Sequence, residues 1–397
     1  MKKYRLAIVG ATGLVGRTVL KVLEEKDLPI SEYVLFASAK SAGKKIKFMG
    51  RDYIIQGLNE LSFDSGFDFA IFCAGGSVSK KYAPIAASKG CIVVDNSSTF
   101  RMDKDVPLVI PEVNPEEIKN NHGIIANPNC STIQAVVALK PLDDKYKIKR
   151  IVYSTYQTVS GAGRSGVADL ENGIRNYMTD KAYADNYYSN DELSENIPYV
   201  LDVTQPSSNF NNSSSLSENH FSYSLEKFDY PIFSNCLPQI DVFMENGYTK
   251  EEEKMINETR KILKRPDLKI TATAVRVPVF NCHSESINVE FENEFELDEV
   301  FRTLSNAPGV IVQDNMLPKN VSFSNKDLDN IKNNSANKIT FKYPLAINAC
   351  GHNEVFVGRI RRDYSVKSGI NLWVVADNIR KGAATNAVQI VERLLCS

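Results

Sequence analysis

The stretch Asn-Pro-Asn-Cys-Ser-Thr, which contains Cys130, is a segment of this chain suited to covalent chemistry. The apolar residues before it predict a short buried strand, and those after it predict a helix. Cys130 is therefore expected at a helix N-terminus, where free backbone N–H groups and the helix dipole favour the nucleophilic thiolate. A free cysteine is also often just a small buried apolar residue, and this stretch alone leaves both interpretations open.

A thiolate that attacks a carbonyl group needs a partner that moves protons, and the chain has only four histidines. Of these, His283 stands at the junction of two predicted strands, shortly after Arg276. A lone histidine is commonly a structural residue. Arg276 favours a substrate site at this junction, because a guanidinium group can hold a carboxylate in bidentate fashion.

A glycine-rich turn lies between the first predicted strand and the first predicted helix. Glycines at this place allow a tight turn and let backbone N–H groups approach a pyrophosphate at the helix N-terminus. A glycine triplet alone is weak evidence, but a strand–turn–helix context makes it a good candidate for a dinucleotide site. The predicted cofactor-binding residues here are Gly10, Ala11, Thr12, Gly13, Leu14 and Val15, within the sequence GATGLVG that ends at Gly16.

The end of the second predicted strand indicates which dinucleotide would bind. An acidic residue there would hold the ribose 2′-hydroxyl of NAD. This chain instead has the sequence ASAKSAGKK, in which Ser38, Lys40 and Ser41 offer hydroxyls and a cation to a 2′-phosphate. The alternative is a solvated basic loop, and we favour NADP.

The composition of the whole chain bounds its class. With 397 residues, 43% hydrophobic and 24% charged, it is long enough for two domains of an ordinary globular protein. A formal net charge of −1 gives no reason to expect nucleic acid as a partner, and no apolar run is long enough to span a membrane. The N-terminus enters a strand pattern at once, and the seven cysteines lack metal or disulfide spacing. We expect a cytoplasmic protein without a metal.

The elements that must position these residues fall into two groups. The first part of the chain alternates strands and helices, which predicts a parallel sheet with helices on both faces. From Ile151 onward, longer alternating runs predict a mainly antiparallel sheet with one covered face. The last stretch predicts a strand and an amphipathic helix that returns to the first domain. Asn- and Ser-rich residues from about 183 to 230 are expected to form a surface insertion.

The sequences GATGLVG, NPNCST, YQTVSGAG, LPQIDVF, RVPVFNCHSESINVE, GRIRRD and ADNIRKGAA occur together and in the order found in aspartate-semialdehyde dehydrogenases. The chain resembles that family over most of its length. The resemblance implies an α/β fold, with a Rossmann-like NADP-binding domain formed by 1–131 and 365–397 and completed by the C-terminal helix. It also implies an α+β catalytic and dimerisation domain formed by 132–364, and a homodimer or homotetramer.

The resemblance also assigns roles to individual residues. Cys130 would be the nucleophile, His283 the general acid and base, and Gln157 the residue that orients the intermediate. Arg276 would grip the substrate carboxylate, with Glu251 and Gln157 also contacting substrate. The remaining matches are phosphate-binding residues (Arg101, Lys254 and Asn129) and residues near the nicotinamide end of the cofactor (Ser160, Gly161 and Asn378). Without the resemblance, Glu251 and Lys254 would be interpreted as an ordinary surface pair on a helix.

The implied reaction is the reversible, NADP-dependent reductive dephosphorylation of L-4-aspartyl phosphate to L-aspartate 4-semialdehyde. It would pass through a cysteine thioester and supply lysine, threonine and methionine biosynthesis. Two alternatives remain: an N-acetyl-glutamyl-phosphate reductase of the same build, and a non-catalytic regulator that senses NADP. Glu251 favours the aspartyl substrate because an acylated amine needs no acidic partner.

Overall fold

The computed structural model describes residues 4–179, 225–316 and 342–396. Two six-stranded sheets dominate these ranges. The first sheet is parallel throughout and has the strand order β5-β2-β1-β6-β7-β8. Its strands are β1 (Tyr4–Val9), β2 (Ile30–Ala37), β5 (Gln56–Gly57), β6 (Phe69–Phe72), β7 (Ile92–Asp95) and β8 (Ile124–Ala126). A small hairpin, β3 (Lys45–Phe48) and β4 (Arg51–Ile54), precedes β5.

Helices cover both faces of this parallel sheet. The continuous apolar run Phe69–Phe72 is entirely buried, as expected for a central strand with helices above and below. Helix α1 (Leu14–Lys26) shares a core with the C-terminal helix α8 (Asn386–Leu395), whereas α2 (Gly76–Ser88) packs into a separate core on the other face. The prediction of a doubly covered parallel sheet is therefore confirmed.

The second sheet has the order β10-β9-β11-β14-β13-β12 and is mixed. Antiparallel pairs form its centre, and a parallel pair closes each edge. Its strands are β9 (Ile148–Gln157), β10 (Lys269–Arg276), β11 (His283–Phe291), β12 (Val310–Val312), β13 (Val355–Arg362) and β14 (Gly369–Ala376). In β11 buried and partly buried residues alternate, so that one face carries the core and the other is partly open.

The covered face of the second sheet packs against three helices. These are α3 (Cys130–Tyr146), α5 (Lys250–Ile262) and α6 (Leu297–Ser305), which contribute to one large apolar core with the strands. Helix α5 begins at the predicted N-cap Thr249, which forms a complete capping box with Glu252. Helix α4 (Gly163–Thr179) and the short helix α7 (Ala346–Ala349) complete the helices of the described ranges.

The C-terminal segment divides between the two sheets in a way that differs from the prediction. The sequence analysis assigned everything from 365 onward to the first domain, but β14 pairs with β11 and β13 in the second sheet. Only the residues after Ala376 return toward the first sheet. They form a π-helical turn (Arg380–Thr385) followed by α8. An apolar run shows that a strand will form, but it does not show which sheet the strand joins.

The predicted insertion at 183–230 lies mostly outside the described residues, which resume at 225. Among the helices of the described ranges, none has both the length and the apolar character needed to span a bilayer.

Candidate active site

Cys130 is the first residue of α3, directly after the short strand β8 and its connecting turn. Asn129 caps this helix, because its side-chain oxygen accepts hydrogen bonds from the N–H groups of Ser131 (3.0 Å) and Thr132 (3.2 Å). The predicted strand–turn–helix setting of the thiol is thus confirmed. The asparagine that precedes it fixes the helix start and hence the position of the sulfur.

His283 is the first residue of β11 and brings its imidazole to the thiol from the second sheet. Its Nε2 lies 3.1 Å from the Cys130 Sγ. Its Nδ1 accepts a hydrogen bond of 3.0 Å from the backbone N–H of Thr158. Because Nδ1 is occupied as an acceptor, the neutral ring carries its proton on Nε2, facing the sulfur.

Both members of this pair are neutral in the free protein. Burial raises the pKa of Cys130 to about 12, helped by the negative charge of Glu251 and opposed by Arg101 and Arg276. Burial also lowers the pKa of His283 to about 3, and the charge of Arg276 acts in the same direction. The expected effect of the helix N-terminus is present, because the Ser131 N–H lowers the pKa of Cys130, but the desolvation of the sulfur outweighs it and raises the pKa overall.

Glu251 joins several of the predicted site residues. Its Oε1 accepts hydrogen bonds from the side-chain amides of Asn129 (2.8 Å) and Gln157 (3.1 Å). Its Oε2 lies 3.1 Å from the Nζ of Lys254, which also contacts Asp241 at 2.9 Å. These contacts keep the pKa of Glu251 below its ordinary value despite burial. The interpretation of Glu251 and Lys254 as a plain surface pair is wrong, because the Glu251 side chain is buried beside the thiol's helix.

Arg276, the last residue of β10, points toward the same space. Its Nη1 donates a 2.6 Å hydrogen bond to the carbonyl oxygen of Thr158 and its side chain is buried. Gly161 faces the arginine: a Cβ built on Gly161 would lie 3.0 Å from that Nη1 and 3.1 Å from the His283 Cε1. Only a residue without a side chain leaves this space next to His283 open.

Arg101 is held by a residue that the sequence analysis missed. Its Nη1 lies 3.0 Å from the Oε1 of Glu258, and its other nitrogens donate to the carbonyl oxygens of Asn96 and Asn127. Glu258 Oε2 in turn accepts a 2.6 Å hydrogen bond from the N–H of Asn129. Glu258 lies seven residues after Glu251 on α5, so helical periodicity could have placed both carboxylates on one face.

Two further residues were missed for a different reason. Thr158 acts through its backbone N–H and carbonyl groups, which side-chain chemistry cannot reveal. Gly382 lies in the π-helical turn, where a Cβ would approach the Cys130 Cβ to 2.7 Å. The sequence gives no sign that the C-terminal turn comes so close to the thiol.

The glycine turn after β1 is shaped to receive a phosphate group. Gly10 has φ +87, and a Cβ there would lie 2.7 Å from the backbone carbon of Cys73. A Cβ on Gly16 would lie 2.2 Å from the Gly10 carbonyl oxygen. Within the described residues, no side chain caps the first turn of α1, so its N–H groups are available to a pyrophosphate. These residues fit a dinucleotide.

The predicted 2′-phosphate residues are at the same edge of the sheet. Val9 at the end of β1 pairs with Phe36 near the end of β2. The glycine turn, which follows β1, therefore lies next to the loop with Ser38, Lys40 and Ser41, which follows β2. The side chains of Lys40 and Ser38 are exposed to solvent at this end of the sheet.

The predicted nicotinamide-end residues meet near the thiol's histidine. The Ser160 Oγ accepts a 3.1 Å hydrogen bond from the Asn378 Nδ2 and lies 2.9 Å from the Thr158 Oγ1. Asn378 Oδ1 also accepts a 3.0 Å hydrogen bond from the N–H of Cys282, directly before His283. Ser160 and Asn378 thus connect the C-terminal segment to the residues around the imidazole.

Comparisons with known proteins agree with this architecture. Residues 5–121 match the model of the semialdehyde dehydrogenase NAD binding domain, and residues 139–381 match that of the semialdehyde dehydrogenase dimerisation domain. Aspartate-semialdehyde dehydrogenase from Aquifex aeolicus is 49% identical over 394 residues, covering 99% of this chain and 98% of the relative. The enzyme of the same name from Campylobacter jejuni is 44% identical, covering 99% of this chain and 98% of that enzyme.

A solved structure gives the same result in three dimensions. The crystal structure of aspartate semialdehyde dehydrogenase II from Vibrio cholerae superposes with a TM-score of 0.78 at 41% identity, covering 100% of this chain and 99% of the other. Family models, full-length relatives and the superposed fold all point the same way, and this chain belongs to the aspartate-semialdehyde dehydrogenase family.

Proposed function

We propose that this protein catalyses the reversible, NADP-dependent reductive dephosphorylation of L-4-aspartyl phosphate to L-aspartate 4-semialdehyde through a thioester on Cys130. The observation that carries the proposal is the 3.1 Å contact between the Cys130 Sγ and the His283 Nε2. With the buried side chains of His283 and Arg276 next to each other, the site offers a nucleophile, a proton carrier and a carboxylate-binding group around one space. One of the Vibrio cholerae structures, at 41% identity, is described as complexed with ASA.

The proton chemistry follows from the fixed tautomer of His283. As Sγ attacks the acyl carbon, the S–C bond forms, the bond to the phosphate oxygen breaks and phosphate departs. We infer that Nε2 gives its proton to the departing oxygen and takes the thiol proton in its place. Nδ1 remains an acceptor of the Thr158 N–H throughout, so no imidazolium has to form in a site where burial lowers the pKa of the ring to about 3.

The second half of the reaction reduces the thioester. A bound nicotinamide supplies the hydride in this direction and accepts it in the other. Gln157, which hydrogen-bonds to Glu251 and Thr155, would orient the tetrahedral intermediate on Cys130. The thioester carbonyl oxygen gains one proton from solvent as the hydride adds to its carbon, so that one proton is consumed per reduction. When the C–S bond breaks, Nε2 gives its proton to Sγ and takes the proton of this new hydroxyl group, which restores the neutral pair.

Substrate recognition is assigned to the charged residues around this space. Arg276 would hold the α-carboxylate and Glu251 the α-amino group, since both are buried and oppositely charged. Lys254, Arg101 and Asn129 would bind the phosphate. Asn129 lies between Glu251 and Glu258 of α5, because its N–H donates to Glu258 and its amide donates to Glu251.

The cofactor assignment combines the glycine turn with the rim beyond β2. We assign the pyrophosphate to Gly10, Ala11, Thr12, Gly13, Leu14 and Val15, and the nicotinamide end to Ser160, Gly161 and Asn378. Ser38, Lys40 and Ser41 favour NADP over NAD, because a 2′-phosphate needs a cation and hydroxyls rather than a carboxylate. We further propose an oligomer formed through the second domain, and a cytoplasmic role in lysine, threonine and methionine biosynthesis.

The variant Cys130→Ala tests the thioester route. We expect phosphate-dependent NADPH formation from L-aspartate 4-semialdehyde to fall by on the order of 10⁴-fold or more, because the attacking atom is removed. NADP binding, measured by fluorescence titration, should change little, since Cys130 is not part of the glycine turn. Cys236→Ser, which alters an exposed thiol, is the matched control and should keep full activity. Turnover of Cys130→Ala at the rate of the unaltered protein would rule out the route.

The same assay separates the alternatives. Preferred turnover of N-acetyl-glutamate 5-semialdehyde would favour the acylated substrate. NADP binding without turnover of either aldehyde would favour a regulator.

A further inference from the structure

Two cysteines and an aspartate form a cluster that includes the residue directly before His283. Cys282 directly precedes β11 and is buried, Cys350 follows α7 and is exposed, and Asp377 follows β14. One ligand atom from each of the three residues lies within 4.8 Å of the other two. The residues are far apart in sequence, which is why cysteine spacing gave no sign of them.

The atoms in this cluster are the ones that a zinc-like cation prefers. Thiolate sulfur and carboxylate oxygen bind borderline-soft divalent ions, with metal–sulfur distances of about 2.3 Å in tetrahedral sites. Such a site places its ligand atoms about 3.5–3.8 Å from one another. Cys350 is exposed at the end of a short helix. A small movement of its side chain would bring its sulfur from its present separation, within 4.8 Å of the other two ligand atoms, to the separation of a tetrahedral site.

The backbone around the cluster is already fixed in place. The Asp377 carboxylate accepts hydrogen bonds from the N–H groups of Ile379 (3.0 Å) and Arg380 (2.9 Å) through Oδ1 and of Gly351 (2.8 Å) through Oδ2. The last bond ties Asp377 to the residue after Cys350 and leaves a lone pair on Oδ2. Cys282 has φ +72, a left-handed conformation that L-residues rarely adopt.

The charges near the cluster suit an occupied site. Lys21 and Arg380 lie close enough to Cys350 to lower its pKa, although burial and Asp377 raise it overall. Two thiolates, one carboxylate and one divalent ion would carry a net charge of about −1, which the Lys21 cation would offset, while Arg380 is already paired with Glu25.

We propose that Cys282, Cys350 and Asp377 form a binding site for a divalent cation of the zinc class, with water in the fourth position. Each bound ion displaces the protons of the two thiols, so two protons leave per ion and no electrons are transferred. Cys282 directly precedes His283 in the chain, and its N–H donates to Asn378. A bound ion would therefore fix the positions of α7 and the C-terminal segment relative to His283.

Co²⁺ binding to the full-length, tag-free protein tests the site under reducing conditions. Cys130→Ser serves as the background, because the active-site thiol and His283 could also hold a soft ion. In this background we expect one Co²⁺ per chain, with the strong visible bands of a tetrahedral ion and a thiolate charge-transfer band. Zn²⁺ should displace the Co²⁺, raise the melting temperature and release two protons, as measured in weakly buffered solution.

Two added substitutions locate the ion. Both Cys350→Ser and Cys282→Gly should abolish the bands and the Zn²⁺-dependent rise in melting temperature; glycine suits the φ of residue 282. Cys236→Ser, an exposed thiol outside the cluster, should retain both signals. Bands that survive either cluster substitution, no tetrahedral spectrum in the Cys130→Ser background, or a mass two hydrogens lower that reveals a Cys282–Cys350 disulfide would each overturn the proposal.

Discussion

At the scale of single residues, the active site is built by partners that neutralise or position one another. Cys130 and His283 face each other as a neutral pair, while Asn129 and Gln157 donate to Glu251 from two different elements. Burial dominates the pKa of the thiol and of the imidazole alike. Reactivity therefore depends on how substrate binding changes the protonation of Cys130 and His283, rather than on a thiolate that is already formed.

Glu285 is a second buried carboxyl group in this region and has no place in the proposed mechanism. It lies two residues after His283 on β11 and is fully buried. Within the described part of the chain, neither of its oxygens has a hydrogen bond of normal geometry. Burial, with a contribution from Glu251, raises the pKa of Glu285 well above its ordinary value, and a contact with Gln134 acts in the opposite direction.

The variant Glu285→Gln should change how stability depends on pH. A carboxyl group whose pKa is higher in the folded state stabilises the fold fully below its unfolded pKa, and this contribution is lost as pH rises. The loss is up to about 1.4 kcal/mol per pH unit between the unfolded and folded pKa values. Glutamine cannot ionise, so the variant should gain stability relative to the unaltered protein from pH 5 to pH 8.

Urea unfolding at several pH values measures this difference. Glu292→Gln, which alters a half-exposed carboxylate just beyond the same strand, is the control and should show no such trend. If the Glu285→Gln and unaltered proteins give parallel stability curves over this range, Glu285 is not held neutral in the fold.

The sequence predicted the side chains of the site better than its framework. Cys130, His283, Arg276 and Gln157 were identified by residue type and by resemblance, and the fold brings them together. Thr158 could not be predicted, because its contribution comes from backbone atoms whose direction depends on the turn after β9. The neutral state of the thiol could not be predicted either, since burial is a property of the assembled domains.

At the scale of elements, periodicity predicted most strands and helices. The sequence LVGRTVLKVLEEK forms α1 over the predicted residues, and the glutamate-rich helix begins at Thr249 as expected. The π-helical turn Arg380–Thr385 was not predicted, since it lies within a continuous helical pattern. Its wider turn is adjacent to the thiol, where Gly382 faces Cys130.

Helix α5 carries Glu251, Lys254 and Glu258, so its N-terminal cap should affect both stability and activity. Thr249→Ala removes the capping-box acceptor for the Glu252 N–H and should lower the free energy of unfolding by about 0.5–2 kcal/mol. Thr249→Ser keeps the hydroxyl and should lose less. Chemical denaturation checks the difference; equal stability of the alanine and serine variants would show that the cap contributes nothing.

At the scale of the whole molecule, the site exists only where the two sheets meet. Cys130 follows the last strand of the parallel sheet, and His283 begins a strand of the mixed sheet. The sequence predicted two domains of these types, because alternation with helices and alternation within strands are different patterns. It did not predict which sheet receives β14, since that depends on pairing partners distant in sequence.

One buried ion pair ties the C-terminal segment to the rest of this assembly. The Nζ of the fully buried Lys381 lies 2.6 Å from the Oε2 of Glu112 and also donates to Asn386 and Gln389. Glu112 in turn packs against Gly309, where a Cβ would lie 3.1 Å from its Cγ. The pair therefore links the loop after β7, the region before β12 and the turn that faces Cys130.

Lys381→Met should destabilise the protein by about 3–5 kcal/mol, because it leaves the Glu112 carboxylate buried without its cation. Adding Glu112→Gln removes that charge, so the double variant should be less destabilised than the sum of the two single changes. Lys26→Met, which breaks a more exposed pair with Glu392 at 2.9 Å, is the control and should cost no more than about 1 kcal/mol. Denaturant unfolding of the four variants measures the coupling, and additive losses would mean that the buried pair does not hold the C-terminal turn in place.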